Sequence, residues 1–266
     1  MLALFGSVIV VVSVVSGFLM AGGNLLLLWH PSEVVVILGA AIGAFVTSNS
    51  LKVIKAAFGD AIGLIKPPRY NRETYVELLK LIFDLLVKSR KEGLLAIEND
   101  ISEPAKSPLF SKYPRILDDH HMTEFVVDCL RLMVGGNLDP NELETLLDYE
   151  LETHHKEAHE PAHAVQQVAD ALPGFGIVAA VLGIVNTMAA VADSSAAELG
   201  EKVGAALVGT FLGILVAYGF VGPISAAMKA RAEEEGKAFE VVKMALVASV
   251  RGYPPPVAIE FARKLL

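Results

Sequence analysis

LPGFGIVAAVLGIVNTMAAVA at 172–192 and VGAALVGTFLGILVAYGFVGPISAAM at 203–228 decide the fold of this chain, and neither contains an Asp, Glu, Lys, Arg or His. A helix of roughly 20 such residues crosses the ~30 Å hydrocarbon core of a bilayer, so the two runs read as a membrane span and its return. Ala179 and Gly183 in the first run, and Gly209 and Gly213 in the second, are small residues four apart. That spacing lets helix backbones approach closely in lipid, where burying leucine gains little. The spans are therefore expected to pack on other helices.

Two further apolar runs lie at the front. Residues 1–20 carry no charge, and 34–51, following Glu33, carry none until Lys52. A cleaved signal peptide would need a basic leader before its apolar segment; no Lys or Arg precedes the first run, so it reads as a retained span. With 53% hydrophobic residues, the chain reads as an all-α integral membrane protein with four transmembrane helices. Residues 1–51 hold the first two spans, 52–171 a helical cytoplasmic domain inserted between the second and third, 172–228 the last two spans, and 229–266 a cytoplasmic tail.

Charge sets the sidedness. Of the 22 basic residues, 14 fall between Lys52 and Lys156 and seven in the tail from Lys229, leaving only Lys202 elsewhere. The positive-inside rule puts 52–171 and the tail in the cytoplasm, with both termini inside. The net charge of −8 comes with no basic cluster suited to nucleic acid. A single cysteine, Cys129, rules out an intramolecular disulfide or a Cys-rich metal site and reads as a core thiol.

Within 52–171 the pattern is helical. Apolar residues at Val76, Leu79, Ile82, Phe83, Leu86, Leu94 and Ile97 suggest one amphipathic helix after Pro67-Pro68. Pro104, Pro108 and Pro114 punctuate a bent connection. A second helix over about 118–134 ends at Gly135-Gly136, and a third begins near Asp139-Pro140-Asn141 and runs through 142–160. The tail holds a charged helix over about 226–250 and a short final one after Gly252. No β alternation or solenoid repeat is present.

The spans as drawn contain no charged residue, whereas proton pathways in membranes are usually marked by one. Any relay through them needs a carboxylate from a partner; this chain offers hydroxyls, Thr187 in the third span and Thr210 in the fourth. Either could equally be bonded back to its own helix. His159-Glu160-Pro161-Ala162-His163 matches the zinc-peptidase pattern H-E-x-x-H, but proline favours a helix start, and a helix beginning at Pro161 would leave His159 outside it. Pro173 suits a first helical turn, whereas Pro223, inside an apolar stretch, should kink or loosen its helix. Lys88–Glu98 reads by spacing alone as a charged helix face.

Taken together, SRKEGLLAIE (89–98), YPRIL (113–117), LPGFGIVAAVLGIVNTM (172–188), VGTFLGILVAYGFVGP (208–223) and GYPPPVAIEFARK (252–264) resemble the MotA/PomA stator subunits of the bacterial flagellar motor, on the MotA side. The resemblance covers nearly the whole chain. It implies a non-enzymatic ion-channel subunit, five copies around two of a MotB-type partner whose span carries the ion-binding Asp. Ion flow would turn the pentamer and push the rotor protein FliG. It further implies that Arg90 and Glu98 face the rotor, that Pro173 and Pro223 couple ion passage to shape, and that Thr210 lies near the partner's Asp. Sodium-type members resemble one another in a threonine seven residues after the first proline, where this chain has Ala180. Sodium needs oxygen ligands, so the transported ion is expected to be H+, with Na+ as the alternative and no cofactor. Other readings are an ExbB-like subunit energising outer-membrane transport, a membrane zinc metallopeptidase and a passive membrane scaffold.

Overall fold

The computed structural model describes residues 2–135 and 139–266, and among these the secondary structure is helical throughout, with no strand. The helices are α1 (Leu2–Met20), α2 (Pro31–Ser48), α3 (Leu51–Gly63), α4 (Arg72–Glu92), α5 (Glu98–Ser102), α6 (Pro114–Leu117), α7 (His120–Gly135), α8 (Pro140–Ala189), α9 (Ala196–Val216), α10 (Gly222–Val250) and α11 (Pro255–Arg263). Of the expected Gly135-Gly136 stop, Gly135 closes α7 and Gly136 lies outside the described residues. The chain divides into two units, one formed by the residues up to Pro67 with Ala158–Ala230, the other by Pro68–Glu157 with Arg231–Leu266.

Three segments are long and apolar enough to cross a membrane, in Leu25–Ser48, Pro140–Ala189 and Ala196–Val250; Phe5–Met20 is a shorter apolar helix. Val35, Ile42, Leu182, Val185 and Leu207 project outward from them, each more than half exposed. Water would penalise such a surface, whereas hydrocarbon does not. The inward face is small: Ile37, Ala41, Leu172, Ala179 and Ala217 form its buried cluster. The start of α9 comes from a capping box, in which Ser195 Oγ accepts from the Glu198 amide at 3.3 Å and the Ser195 amide donates to Glu198 Oε2 at 2.7 Å, satisfying two otherwise orphaned donors.

The second unit has a conventional core. Leu78, Leu81, Ile82, Leu85 and Leu86 form the buried face of α4, with the three- and four-residue steps of an amphipathic helix. The face is rotated from the one expected: Val76 and Leu94 are exposed. Phe110, Ile116, Met122, Cys129 and Leu130 meet it, together with Val241, Val242 and Leu246 of α10. Cys129 is a core thiol, as expected, and burial pushes its pKa up. Asn71 caps α4, accepting from the amides of Glu73 and Thr74 at 3.0 Å each. Asp119 organises the start of α7: its carboxylate accepts from Tyr70 Oη at 2.7 Å and from the Met122 amide at 3.3 Å, and it pairs with Arg69 at 3.1 Å.

Two expectations about helix boundaries need correcting. The third helix does not stop near 160, and α8 continues through Pro161 and Pro173 to Ala189, so neither proline marks a helix start. The stretch from Lys88 to Glu98 is not one helix either. Gly93 adopts φ +89°, a left-handed value that ends α4 at Glu92, and a 3-10 turn over Leu94–Ile97 precedes α5.

Candidate functional site

The inner face of the first unit is a set of close backbone approaches between α8 and α9. A Cβ placed on Gly213 would lie 2.7 Å from the Leu172 carbonyl oxygen, and one on Gly176 would lie 3.0 Å from the Gly209 carbonyl oxygen. On Gly209 it would meet Ala179 Cβ at 3.2 Å, and on Gly183 it would meet Ala206 Cβ at 2.9 Å. The expected small-residue contacts at Ala179, Gly183, Gly209 and Gly213 are therefore present, and Gly176 joins them. Backbones at this separation gain dispersion contacts along their length, a main favourable term between helices in lipid.

The sequence-derived pathway residues fall on these two helices. Ala180 is buried, and its amide nitrogen would lie 3.4 Å from a Cβ on Gly209. Thr210 follows Gly209 directly; its Cα would lie 3.3 Å from a Cβ on Gly176. Thr187, on the α8 side, is 1% exposed, and its hydroxyl donates to the Gly183 carbonyl at 2.8 Å. Thr187 is thus the back-bonded threonine, its hydroxyl committed to its own helix. Thr210 is half-buried, and its hydroxyl has no hydrogen bond among the described residues. Of the two, Thr210 keeps a free donor and acceptor.

Pro173 lies inside α8, one residue after the Leu172 carbonyl that faces Gly213. Pro223 has the structural consequence its sequence context predicts. The five residues Ala217–Val221 before Gly222-Pro223 form a π-helical turn, with the Gly222 amide bonded to the Ala217 carbonyl. Proline lacks the amide an α-helical turn requires and clashes with the carbonyl four residues back; one wider turn relieves that conflict.

The charge-free reading of the spans is also corrected. Pro31 opens α2, so Glu33 lies in its first turn, inside the Leu25–Ser48 segment and 7% exposed. A Cβ on Gly209 would come within 2.7 Å of Glu33 Oε2, and one on Gly183 within 3.5 Å of Oε1. The carboxyl therefore occupies the space those two glycines leave open. Pro31 at the first helical position was the sequence signal that could have drawn Glu33 into the span.

In the second unit, Arg90 is exposed in the last turn of α4 and Glu98 exposed as the first residue of α5. Two residues before the first and two after the second, Lys88 and Asp100 form a bridge at 2.6 Å. Asp100 is buried and also accepts from Ser107 Oγ at 2.5 Å. This bridge closes the turn that carries Arg90 and Glu98 and fixes the elements on which they stand.

For the peptidase pattern, the proline objection fails, because Pro161 is within α8 and His159 and His163 share a helical turn. The chemistry lacks a third ligand: among the described residues, no group of three or more His, Cys, Asp or Glu side chains could hold a metal ion.

Known proteins give a consistent picture. Residues 4–93 match the family described as Motility protein A N-terminal, and residues 118–241 the MotA/TolQ/ExbB proton channel family. The chain is 45% identical over 266 residues to Motility protein A of Salmonella typhimurium, covering all of this chain and 90% of that protein. It is 41% identical over 259 residues to the Chemotaxis protein LafT of Vibrio parahaemolyticus, covering 97% of this chain and 90% of LafT. Among solved structures, C. jejuni MotAB aligns at a TM-score of 0.80 and 22% identity, covering 99% of this chain and 94% of that one. The flagellar MotAB stator complex from Bacillus subtilis aligns at 0.76 and 24%, with the same coverage; at these identities both speak for the fold.

Proposed function

This chain belongs to the motility protein A family, and from that premise we propose how its two units work in the stator of the bacterial flagellar motor. It is an ion-channel subunit of that stator, generating torque from ion flow. The observation that carries this conclusion is the 45% identity to a motility protein A sustained over the full 266 residues, and the helical architecture agrees with it.

The finer reading is as follows. All four apolar helices span the inner membrane: α1, with 19 residues, reaches about 28 Å at 1.5 Å per residue. The excess of Lys and Arg in 52–156 and in the tail supports cytoplasmic placement of that domain and of both termini. The chain assembles as a pentamer around two copies of a MotB-type partner, whose Asp approaches the unpartnered Thr210 hydroxyl. Ala180 puts a methyl group where sodium would need an oxygen, which favours proton transport. Thr187 lines the same wall as a structural hydroxyl. Pro173 and Pro223, the latter through its π turn, are weak points at which α8 and α9–α10 change shape as the partner's Asp gains and loses its proton. Arg90 and Glu98, presented by the bridged turn, engage FliG. One elementary charge crossing 100 mV supplies ~2.3 kcal/mol, enough to bias such a step and too little to break a packed core.

The test is co-expression with the MotB-type partner in a flagellated strain lacking stators, followed by tethered-cell rotation with and without sodium. Rotation in both media is expected. Rotation only with sodium would overturn the reading of Ala180, and no rotation with both proteins inserted would favour an ExbB-like role in energising transport.

A further inference from the structure

Glu33 is a carboxylic acid inside a membrane-spanning segment, and nothing in the arrangement above gives it a task. Its residue is 93% buried by the 7% exposure already given, and Oε2 has no hydrogen-bond partner among the described residues. A buried polar atom left without a partner costs about 1–3 kcal/mol, so a group retained in that state invites a functional explanation. Replacing Glu33 by an apolar residue would remove that cost.

The surroundings are specific. The two carboxyl oxygens point at the bare Cα atoms of Gly183 on α8 and Gly209 on α9, and Gly209 is followed by Thr210. The pocket thus adjoins the residue pair at the centre of the ion-pathway reading. His30, in the turn before α2, is the titratable group whose charge acts on Glu33. The other packed elements bring few charges: α1 has none, α8 has none after Asp170, and α9 has only Glu198, Glu201 and Lys202 in its first two turns. Two influences compete at the carboxyl. The first turn of α2 attracts negative charge through the exposed amides of the helix end, while the apolar enclosure suits only the neutral acid. A carboxyl between such influences can change its proton occupancy when a nearby charge arrives or leaves.

We propose that Glu33 is a proton-binding site of this chain's own, taking up and releasing a proton at Oε2 over Gly209 during ion passage, in addition to the carboxylate contributed by the MotB-type partner. The inference rests on the stator reading for its setting. In the uptake step an O–H bond forms at Oε2 as one breaks in a hydronium ion, which leaves as water; release reverses this, and no electrons change hands. The side chain acts as a relay site that holds a proton close to Thr210.

The experiment uses the complex of this chain with its MotB-type partner, purified as wild type, as E33Q, and with the partner's ion-binding Asp changed to Asn. Infrared difference spectra are recorded between acidic and alkaline buffers, in water and deuterium oxide. The expected result is a carboxylic-acid band that titrates, shifts in deuterium oxide, survives the Asp change in the partner and is absent from E33Q. If E33Q fails to assemble, E33D, which keeps the acid, should show that band displaced, and wild type grown with 13C-carboxyl glutamate should show it isotope-shifted. Identical titrating spectra in wild type and E33Q, or no titrating glutamate band in the labelled wild type, would overturn the proposal. In tethered cells, E33Q is expected to lose several-fold in speed with E33D retaining more; E33Q rotating at wild-type speed at every pH would also overturn it. Failure of the wild type itself to rotate would count against the stator reading, while the infrared result would still decide the role of Glu33.

Discussion

The two units of this chain solve the packing problem in opposite ways. In the Pro68–Glu157 and Arg231–Leu266 unit the fully buried side chains are large, Phe110, Leu78, Leu81, Ile82 and Leu130 among them. In the other unit the close contacts between α8 and α9 are lined by Ala179, Ala180, Ala206, Gly209 and Gly213, with few large side chains such as Ile37 and Leu172 enclosed, while many of its leucines and valines face outward. In water, removing apolar area from solvent is the main driving force; in hydrocarbon that gain vanishes and close backbone contact takes over. The difference means that the first unit is sensitive to added atoms and the second to removed ones.

The largest effect should come from adding atoms at the tightest approach. Gly213→Val would drive side-chain carbons into the Leu172 carbonyl, a backbone group that cannot swing away. We expect loss of assembled stators and of motility, read by co-purification with the partner and by swimming assays; normal assembly would break the comparison. Its counterpart is Phe110→Ala, which empties a fully buried site. It should cost about 3–5 kcal/mol, measured by denaturant unfolding of the second unit's helices, and leave the membrane helices inserted.

Pro223→Ala tests a subtler dependence. Restoring an amide at 223 removes the reason for the π turn over Ala217–Val221, so rotation should fall several-fold in complexes that assemble normally; unchanged rotation would end the coupling role. A comparison within the first unit comes from the two threonines. Thr210→Val should impair rotation, whereas Thr187→Val, which loses only a bond to its own helix, should leave rotation near wild type and cost about 1 kcal/mol. Equal effects would show that the free hydroxyl is not what matters.

The smallest effect concerns pH. His154 packs 4.0 Å from the Phe239 ring, and burial, followed by the charge of His121, lowers its pKa. Its folded form therefore binds a proton less readily than its unfolded form. The second unit should keep this contribution above the usual histidine value of about 6.5 and lose it gradually as pH falls below that, a slope that His154→Leu should flatten in thermal melts.

Much of this was legible in the residues. The apolar runs at 172–192 and 203–228 marked their helices because charge-free length is a local property, and the spacing of Ala179, Gly183, Gly209 and Gly213 marked the faces that meet. Arg90, Glu98 and Ala180 drew notice only through the whole-chain resemblance, their spacing alone being unremarkable, whereas Pro173, Pro223 and Thr210 already stood out as prolines and a hydroxyl in charge-free runs. Three readings went astray for a common reason. Pro161 and Pro173 looked like helix starts, but a proline's cost is only a few kcal/mol, and α8 runs on through both. Lys88–Glu98 looked like part of one helix because the apolar steps seemed to run on through Leu94 and Ile97, while Gly93 was free to take the left-handed turn.

The sequence by itself determined that this chain is helical, which of its helices are apolar enough for a bilayer, and to which family it belongs, since composition, period and motif are all written along one dimension. Only the tertiary structure decided which side chains those helices enclose. Whether Glu33 faces water or the bare Cα of Gly209 depends on three helices distant in sequence arriving at one place, and a carboxyl that looks like a span's flank in the sequence becomes, by that convergence, a buried acid beside Thr210.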